Sequence, residues 1–128
     1  MTPEAESFLR KACGHLERGR IMLSVNLYED AGRAAYLAGF HAAQALIFER
    51  IGKALKTHNG VQAEFLRLTK EALEPELRVF LSQAYNLKAV ADYEEGPDAG
   101  ISSDRAEAAI KTAGHFVERI RRLTDLAP

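Results

Sequence analysis

Asp30-Ala31-Gly32-Arg33-Ala34-Ala35-Tyr36-Leu37-Ala38-Gly39-Phe40-His41-Ala42-Ala43-Gln44-Ala45-Leu46 is the stretch on which the fold turns. Alanine and glycine dominate it, and small residues on a helix let a neighbouring backbone come close. Tyr36, Phe40, Ala43, Ile47, Ile51 and Ala54 follow in steps of three and four, the period of one helical face. The spacing predicts a helix over roughly 28–54 that lies at the centre of the fold.

The same period extends to either side. Thr2-Pro3 opens a helix with a capping hydroxyl and a proline at the first helical position. Phe8, Ala12, Leu16, Gly19 and Leu23 continue it, and Asn26 ends it. Beyond the central helix, Lys56 to Asn59 read as a loop. Asn59-Gly60 is a turn dipeptide, and Asn59 can cap a third helix with Gln62 as its capping-box partner. That helix carries Val61, Phe65, Leu68 and Ala72. Pro75 interrupts or restarts the chain near Glu74. A fourth stripe runs Leu77, Phe80, Ala84, Leu87, Ala91. Gly96-Pro97-Asp98-Ala99-Gly100 is a loop, and Asp104 with Glu107 forms a capping pair. The last helix shows Ile110, Ala113, Val117 and Ile120, with Phe116 and Leu123 beside them. No stretch alternates as a strand would. The expectation is an all-α, up-and-down bundle of four long helices plus a shorter one, in a single domain over 1–128. Leu87 and Ile47 belong to its core.

Composition narrows the function. With 47% hydrophobic and 27% charged residues, the chain can bury a core and stay soluble. A net charge of -1 argues against a general nucleic-acid binder, which is usually basic. Arg119, Arg121 and Arg122 read as a dipole-matched helix end, or as a patch for RNA or an acidic partner. The single cysteine, Cys13, excludes an internal disulfide framework and fits a reducing compartment. The acidic, polar N-terminus does not read as a signal peptide. The longest apolar run, Ala45-Leu46-Ile47-Phe48, is too short to span a bilayer, so the expected location is cytoplasmic. The histidines and the cysteine lack metal-ligand spacing, so neither a metal nor another cofactor is expected.

Three stretches occur in order: Asp30 to Leu46, Lys56-Thr57-His58-Asn59-Gly60-Val61 with Phe65, and Lys88-Ala89-Val90-Ala91-Asp92-Tyr93. Together they resemble the HEPN family, in particular its small stand-alone prokaryotic members. The resemblance covers residues 27 to 123. It implies a helical bundle, usually dimeric, often paired with a minimal nucleotidyltransferase as a toxin–antitoxin system. It also implies possible nucleotide binding. Leu37 and Phe48 are expected as exposed apolar flanks for the dimer.

Many members of the family are metal-independent ribonucleases with an Arg-x(4–6)-His motif. The formal match here, Arg10 to His15, lies outside the resembling stretches, and composition alone predicts one such match. A lysine, Lys88, stands where stand-alone relatives tend to have arginine, and lysine lacks the bidentate fork. The resemblance therefore favours an interaction module, with a metal-independent endoribonuclease toxin as the alternative.

His58 is expected either to order its turn or to serve a site that titrates near neutral pH. Asp92 and Tyr93 form either a helix-end polar pair bonded to Arg33 or a phosphate-handling site, in which Tyr93 is a target for nucleotidyl modification. The expected binding group is Arg33, His58, Lys88, Asp92 and Tyr93 at one end of the bundle, with His58, Lys88 and Asp92 as catalytic candidates. Its rationale is that the ends of the second and fourth helices share a pole. His41 is expected as a satisfied core histidine.

Overall fold

The computed structural model describes residues 1–93 and 100–126. The expected loop at Gly96 to Ala99 lies outside the described residues. Helices α1 (Pro3–Ser24), α2 (Tyr28–Ile51), α3 (His58–Leu68), α4 (Pro75–Arg78), α5 (Phe80–Tyr93) and α6 (Ser103–Asp125) follow in order. No strand occurs among the described residues. The long helices are α1, α2, α5 and α6, α3 is the shorter one, and α4 is a single turn.

Local chemistry sets the boundaries. Thr2 accepts a hydrogen bond from the Ala5 N–H at 3.1 Å, so α1 is capped as expected. It ends at Ser24, and Asn26 takes φ 66° to turn the chain into α2. The two helices run antiparallel, which brings the Thr2 N–H to Glu49 Oε1 at 2.8 Å. Helix α2 stops at Ile51, short of residue 54, because Gly52 adopts φ 67° and donates its N–H to the Phe48 carbonyl.

The third helix differs most from its expected form. Thr57, not Asn59, is the cap, and its hydroxyl accepts from the Gly60 N–H at 3.0 Å. Asn59 and Gly60 therefore lie inside the first helical turn rather than in a β-type turn. The third position after the cap is Gly60, which has no side chain to close a capping box. Helix α3 ends at Leu68 rather than at Ala72. Buried Thr69 caps it and turns its hydroxyl back to the Phe65 carbonyl. Pro75 restarts the chain with Glu74 as cap, and the fourth stripe is broken at Val79 into α4 and α5. At α6 the cap is Ser102, which accepts from the Arg105 N–H, rather than the pair Asp104–Glu107.

Helix α2 lies at the centre of the packing. Ala31, Ala35, Ala38, Ala42, Ala43 and Ala45 are fully buried on it. Helix α5 seats on its glycines: a Cβ at Gly39 would lie 2.6 Å from a Phe80 ring carbon, and one at Gly32 would meet Ile101 and Leu87. On the other side Gly19 of α1 faces Ala34 of α2 and Ile110 of α6. Phe65, Phe116 and Phe80 fill the centre, with ring centroids 5.3 and 5.0 Å apart in sequence. Ile47 and Leu87 are buried, as expected. Leu37 and Phe48 are half-buried rather than exposed, Leu37 against the core and Phe48 beside the Phe8 ring. Exposed large apolar side chains instead gather at the α1–α2 turn, at Ile21, Val25 and Leu27.

Leu87 covers Gly32, which has no side chain to fill a void left opposite it. Leu87→Ala is expected to lower stability by about 2–5 kcal/mol, read as a drop in the denaturation midpoint. An unchanged midpoint would contradict this packing.

Candidate functional site

Helices α2 and α5 run antiparallel, so the start of one meets the end of the other. On α2, Asp30, Arg33 and Tyr36 succeed one another at steps of three and share a face. On α5, Tyr85, Lys88 and Asp92 do the same at steps of three and four. The register set by Gly39 against Phe80 and Gly32 against Leu87 brings the Tyr36 ring to Tyr85, while the Arg33 side chain reaches back toward the start of α2 to meet Asp92, farther along α5.

Arg33 uses all of its guanidinium. Its Nε donates to Asp92 Oδ1 at 2.5 Å, its Nη1 to Asp30 Oδ1 at 3.1 Å, and its Nη2 to the Ala91 carbonyl at 2.9 Å. The other oxygen of Asp92 accepts from Lys88 Nζ at 2.6 Å. The hydrogen bond from Arg33, then that from Lys88, holds Asp92 below the usual carboxylate range. The same bond to Asp92 raises Arg33 above the ordinary arginine value. Two cations and two carboxylates thus close on one another without net charge.

One turn farther along, His58 begins α3. Its Nδ1 lies 2.9 Å from the Tyr36 hydroxyl. Its ring stacks on Tyr85 with centroids 3.7 Å apart and planes within 14°. Tyr36 in turn meets the Tyr85 ring edge-on at 5.5 Å. Burial, reinforced by Tyr85, pushes the Tyr36 phenol up to about 12. Burial pushes His58 down, so it is uncharged at neutral pH.

The backbone between α2 and α3 explains this position. Beyond the left-handed Gly52, residues 53–57 form a strap without helix that returns beside α2, held by Gln44 Nε2 donating to the Leu55 carbonyl at 2.8 Å. A strap of this length reaches up to about 20 Å. The rise of α2 from Tyr36 to Ile51 is about 22 Å. The strap therefore carries His58 back to the level of Tyr36.

Of the expected group, Arg33, Lys88 and Asp92 are bonded into one node. His58 occupies the adjoining aromatic cluster, with no hydrogen bond to that node. Tyr93 ends α5 next to Asp92 and is 80% exposed. The route differs from the expected shared pole. The start of α2, not its end, meets the end of α5, so Arg33 sits at the heart of the node. The sequence reading left out Asp30 and Tyr85. Their signal is the helical spacing, three residues before Arg33 and three before Lys88.

His15 is engaged by Arg18 and by the ring of His41, and His41 bonds Gln44. Arg119, Arg121 and Arg122 each face a carboxylate, Glu74 or Glu118. Among the described residues no group of three or more His, Cys, Asp or Glu could hold a metal ion. No helix among them is long and apolar enough to cross a membrane.

The fold and the succession of motifs along it define a class. The HEPN domain model matches residues 5–123. The chain therefore belongs to the HEPN domain family. Its relatives include a protein of Methanocaldococcus jannaschii that bears the name "Putative toxin", 32% identical over 93% of this chain and 87% of that one. Another is a UPF0332 protein of Archaeoglobus fulgidus, 31% identical over 92% of this chain and 93% of the relative.

Two outcomes follow from the geometry. In a spectrophotometric titration, one of the four tyrosines is expected to ionise late, at about 12, and Tyr36→Phe is expected to remove that component. Asp92 is depressed in the fold, so its contribution is present above the unfolded value of about 3.9 and is lost as pH falls through the folded one. Asp92→Asn is expected to lose under about 1 kcal/mol at pH ~7, since the pairs are partly exposed, and to flatten the acid limb of stability below about pH 4. Denaturant melts across that range measure both effects.

Proposed function

We propose that this chain is a toxin-type HEPN module that works through a protein partner, a minimal nucleotidyltransferase, rather than by cutting RNA itself. In this reading it is a single-domain, cytoplasmic homodimer. The observation that carries the reading is the closed charge balance of the node. Metal-free cleavage of RNA needs a cation to hold charge developing on phosphorus and a group to move the 2′-hydroxyl proton. Arg33 and Lys88 are the cations at hand, and both are bonded to Asp92. A phosphate would have to displace a carboxylate from each.

The partner's chemistry falls on Tyr93. Tyr93 is the more exposed of the two tyrosines of α5, at 80% against 41% for Tyr85, which supports its hydroxyl as the acceptor. The nucleotide implied by the family enters as the group transferred, with the phenol oxygen attacking the α-phosphorus of a nucleoside triphosphate and pyrophosphate leaving. The name of the Methanocaldococcus relative supports the toxin part of this reading. The ribonuclease alternative has one observation in its favour: burial keeps His58 uncharged and able to accept a proton. Against it, the Tyr36 hydroxyl already lies on Nδ1, and the Tyr85 ring covers one face.

The purified protein is expected to leave total RNA intact. Incubation with ATP and a nucleotidyltransferase encoded beside its gene is expected to add nucleotidyl mass to the wild type and none to Tyr93→Phe. RNA cleavage abolished by His58→Ala would establish the ribonuclease reading instead. Absence of such a neighbouring gene, or of both complex and mass addition, would reject the partnership.

A further inference from the structure

Away from this site, two imidazoles meet between α1 and α2. The rings of His15 and His41 stack with centroids 5.2 Å apart and planes within 18°. Gln44, itself buried, fixes the proton of His41. Its Nε2 donates to the Leu55 carbonyl, so its Oε1 is left to accept from His41 Nδ1 at 2.7 Å. Neutral His41 therefore carries its proton on Nδ1. His15 takes the opposite tautomer, because its Nδ1 accepts from Arg18 Nη2 at 3.3 Å. The charged groups that face the pair are Arg18 and Lys11, both of α1. From α2 come Gln44 and the edge of the Phe40 ring. No ion pair to a carboxylate involves either ring among the described residues.

We propose that the His15–His41 pair is an acid-sensitive latch which, through Gln44, holds the strap of residues 53–57 and with it the position of His58. The first proton goes to His41 Nε2, beside Lys11. A second proton, on His15 Nδ1, removes the acceptor that Arg18 uses, sets donor against donor and places two like charges face to face. The rings separate, Gln44 loses its partner on Oε1, and its amide turns from the Leu55 carbonyl. Leu55 lies three residues before His58, so the strap and the start of α3 loosen together.

Burial first, then the charge of His41 and that of Arg18, lowers His15. Burial first, then Lys11, lowers His41, against the opposing pull of Gln44. Both rings are thus uncharged at neutral pH in the latched state. The opened state binds more protons, so latching is favoured above the unperturbed histidine value of about 6.5 and weakens as pH falls through the folded values.

The full-length chain, observed by two-dimensional amide and histidine-ring NMR from pH ~8 to ~5, tests the latch. A His58→Ala background removes that residue's own titration. The amide signals of Leu55 and Lys56 are expected to move with the midpoint of the His41 ring. His41→Gln removes the charge that lowers His15. It is expected to raise the midpoint of the His15 ring by about half a pH unit at low salt, the repulsion of two charges at this separation with water-like screening. The double variant His15→Gln/His41→Gln is expected to leave the strap signals flat over the same range, in a chain whose circular dichroism stays helical. Strap amides that ignore the His41 titration, a His15 midpoint unmoved in His41→Gln, or strap signals that still titrate in the folded double variant would each overturn the latch.

Discussion

The close approach of helices to the alanine and glycine face of α2 is the constraint on which the rest of this structure depends. Packed helices ordinarily lie 8–10 Å apart, according to the side chains between them. Here one partner contributes almost no side chain at its contacts, so the neighbours supply the bulk. Phe80 and Leu81 sit over Gly39, and Leu87 and Ile101 over Gly32. Such a face is intolerant in one direction. Even a methyl at these glycines lands inside the contact distance of a packed side chain, and overpacking of this kind costs about 1–3 kcal/mol. The face also fixes register, because a large side chain can settle only where a glycine leaves room.

Register is what converts the fold into a site. Once Phe80 is seated at Gly39 and Leu87 at Gly32, antiparallel packing leaves the Tyr36 ring against Tyr85, and Arg33 reaches back along the groove to Asp92. The node and the aromatic cluster are two turns of the same helix pair. His58 joins them from a third element only because Gly52 turns the chain sharply and the strap runs back. The strap makes few regular backbone hydrogen bonds of its own, and Gln44 is the side chain that ties it down. A buried amide used at both ends is a connection in which the loss of one partner weakens the other.

Much of this was legible in the sequence, and the failures have physical causes. The apolar stripes gave the helices, because burial imposes the helical period wherever one face meets a core. Thr2-Pro3 was legible because a cap followed by proline has few other uses. The cap of α3 was misread because Asn59 and Thr57 are both competent caps, and propensity alone does not choose between them. The choice was made by the strap, a tertiary feature that fixes where the chain can begin to coil. The Arg33–Asp92–Lys88 node was legible as a set of residues but not as a geometry. Helical spacing ties Lys88 to Asp92, whereas Arg33 comes across from another helix. Tyr85 escaped notice because a tyrosine at a helical interval looks like any core aromatic until the ring stacked on it is known.

The two halves of the site face acid differently, and this difference follows from what surrounds each ionisable group. In the node every charge has an opposite charge in contact, which drives Asp92 down and Arg33 up and keeps both ionised across the neutral range. In the aromatic cluster and at the His15–His41 stack, imidazoles are partly desolvated without a carboxylate partner, so all three are driven toward the uncharged form. Moderate acid therefore adds charge at imidazoles of α1, α2 and α3 and leaves the node as it was. The node can hold α2 and α5 together while the element that carries His58 changes its footing. A site assembled only from the helix pair would lack that freedom, since its groups are locked by contacts that acid does not reach until carboxylates protonate. His58 begins α3 at the end of a strap that Gln44 ties to α2, so a change in that tie reaches His58 without passing through the ion pairs of the helix pair.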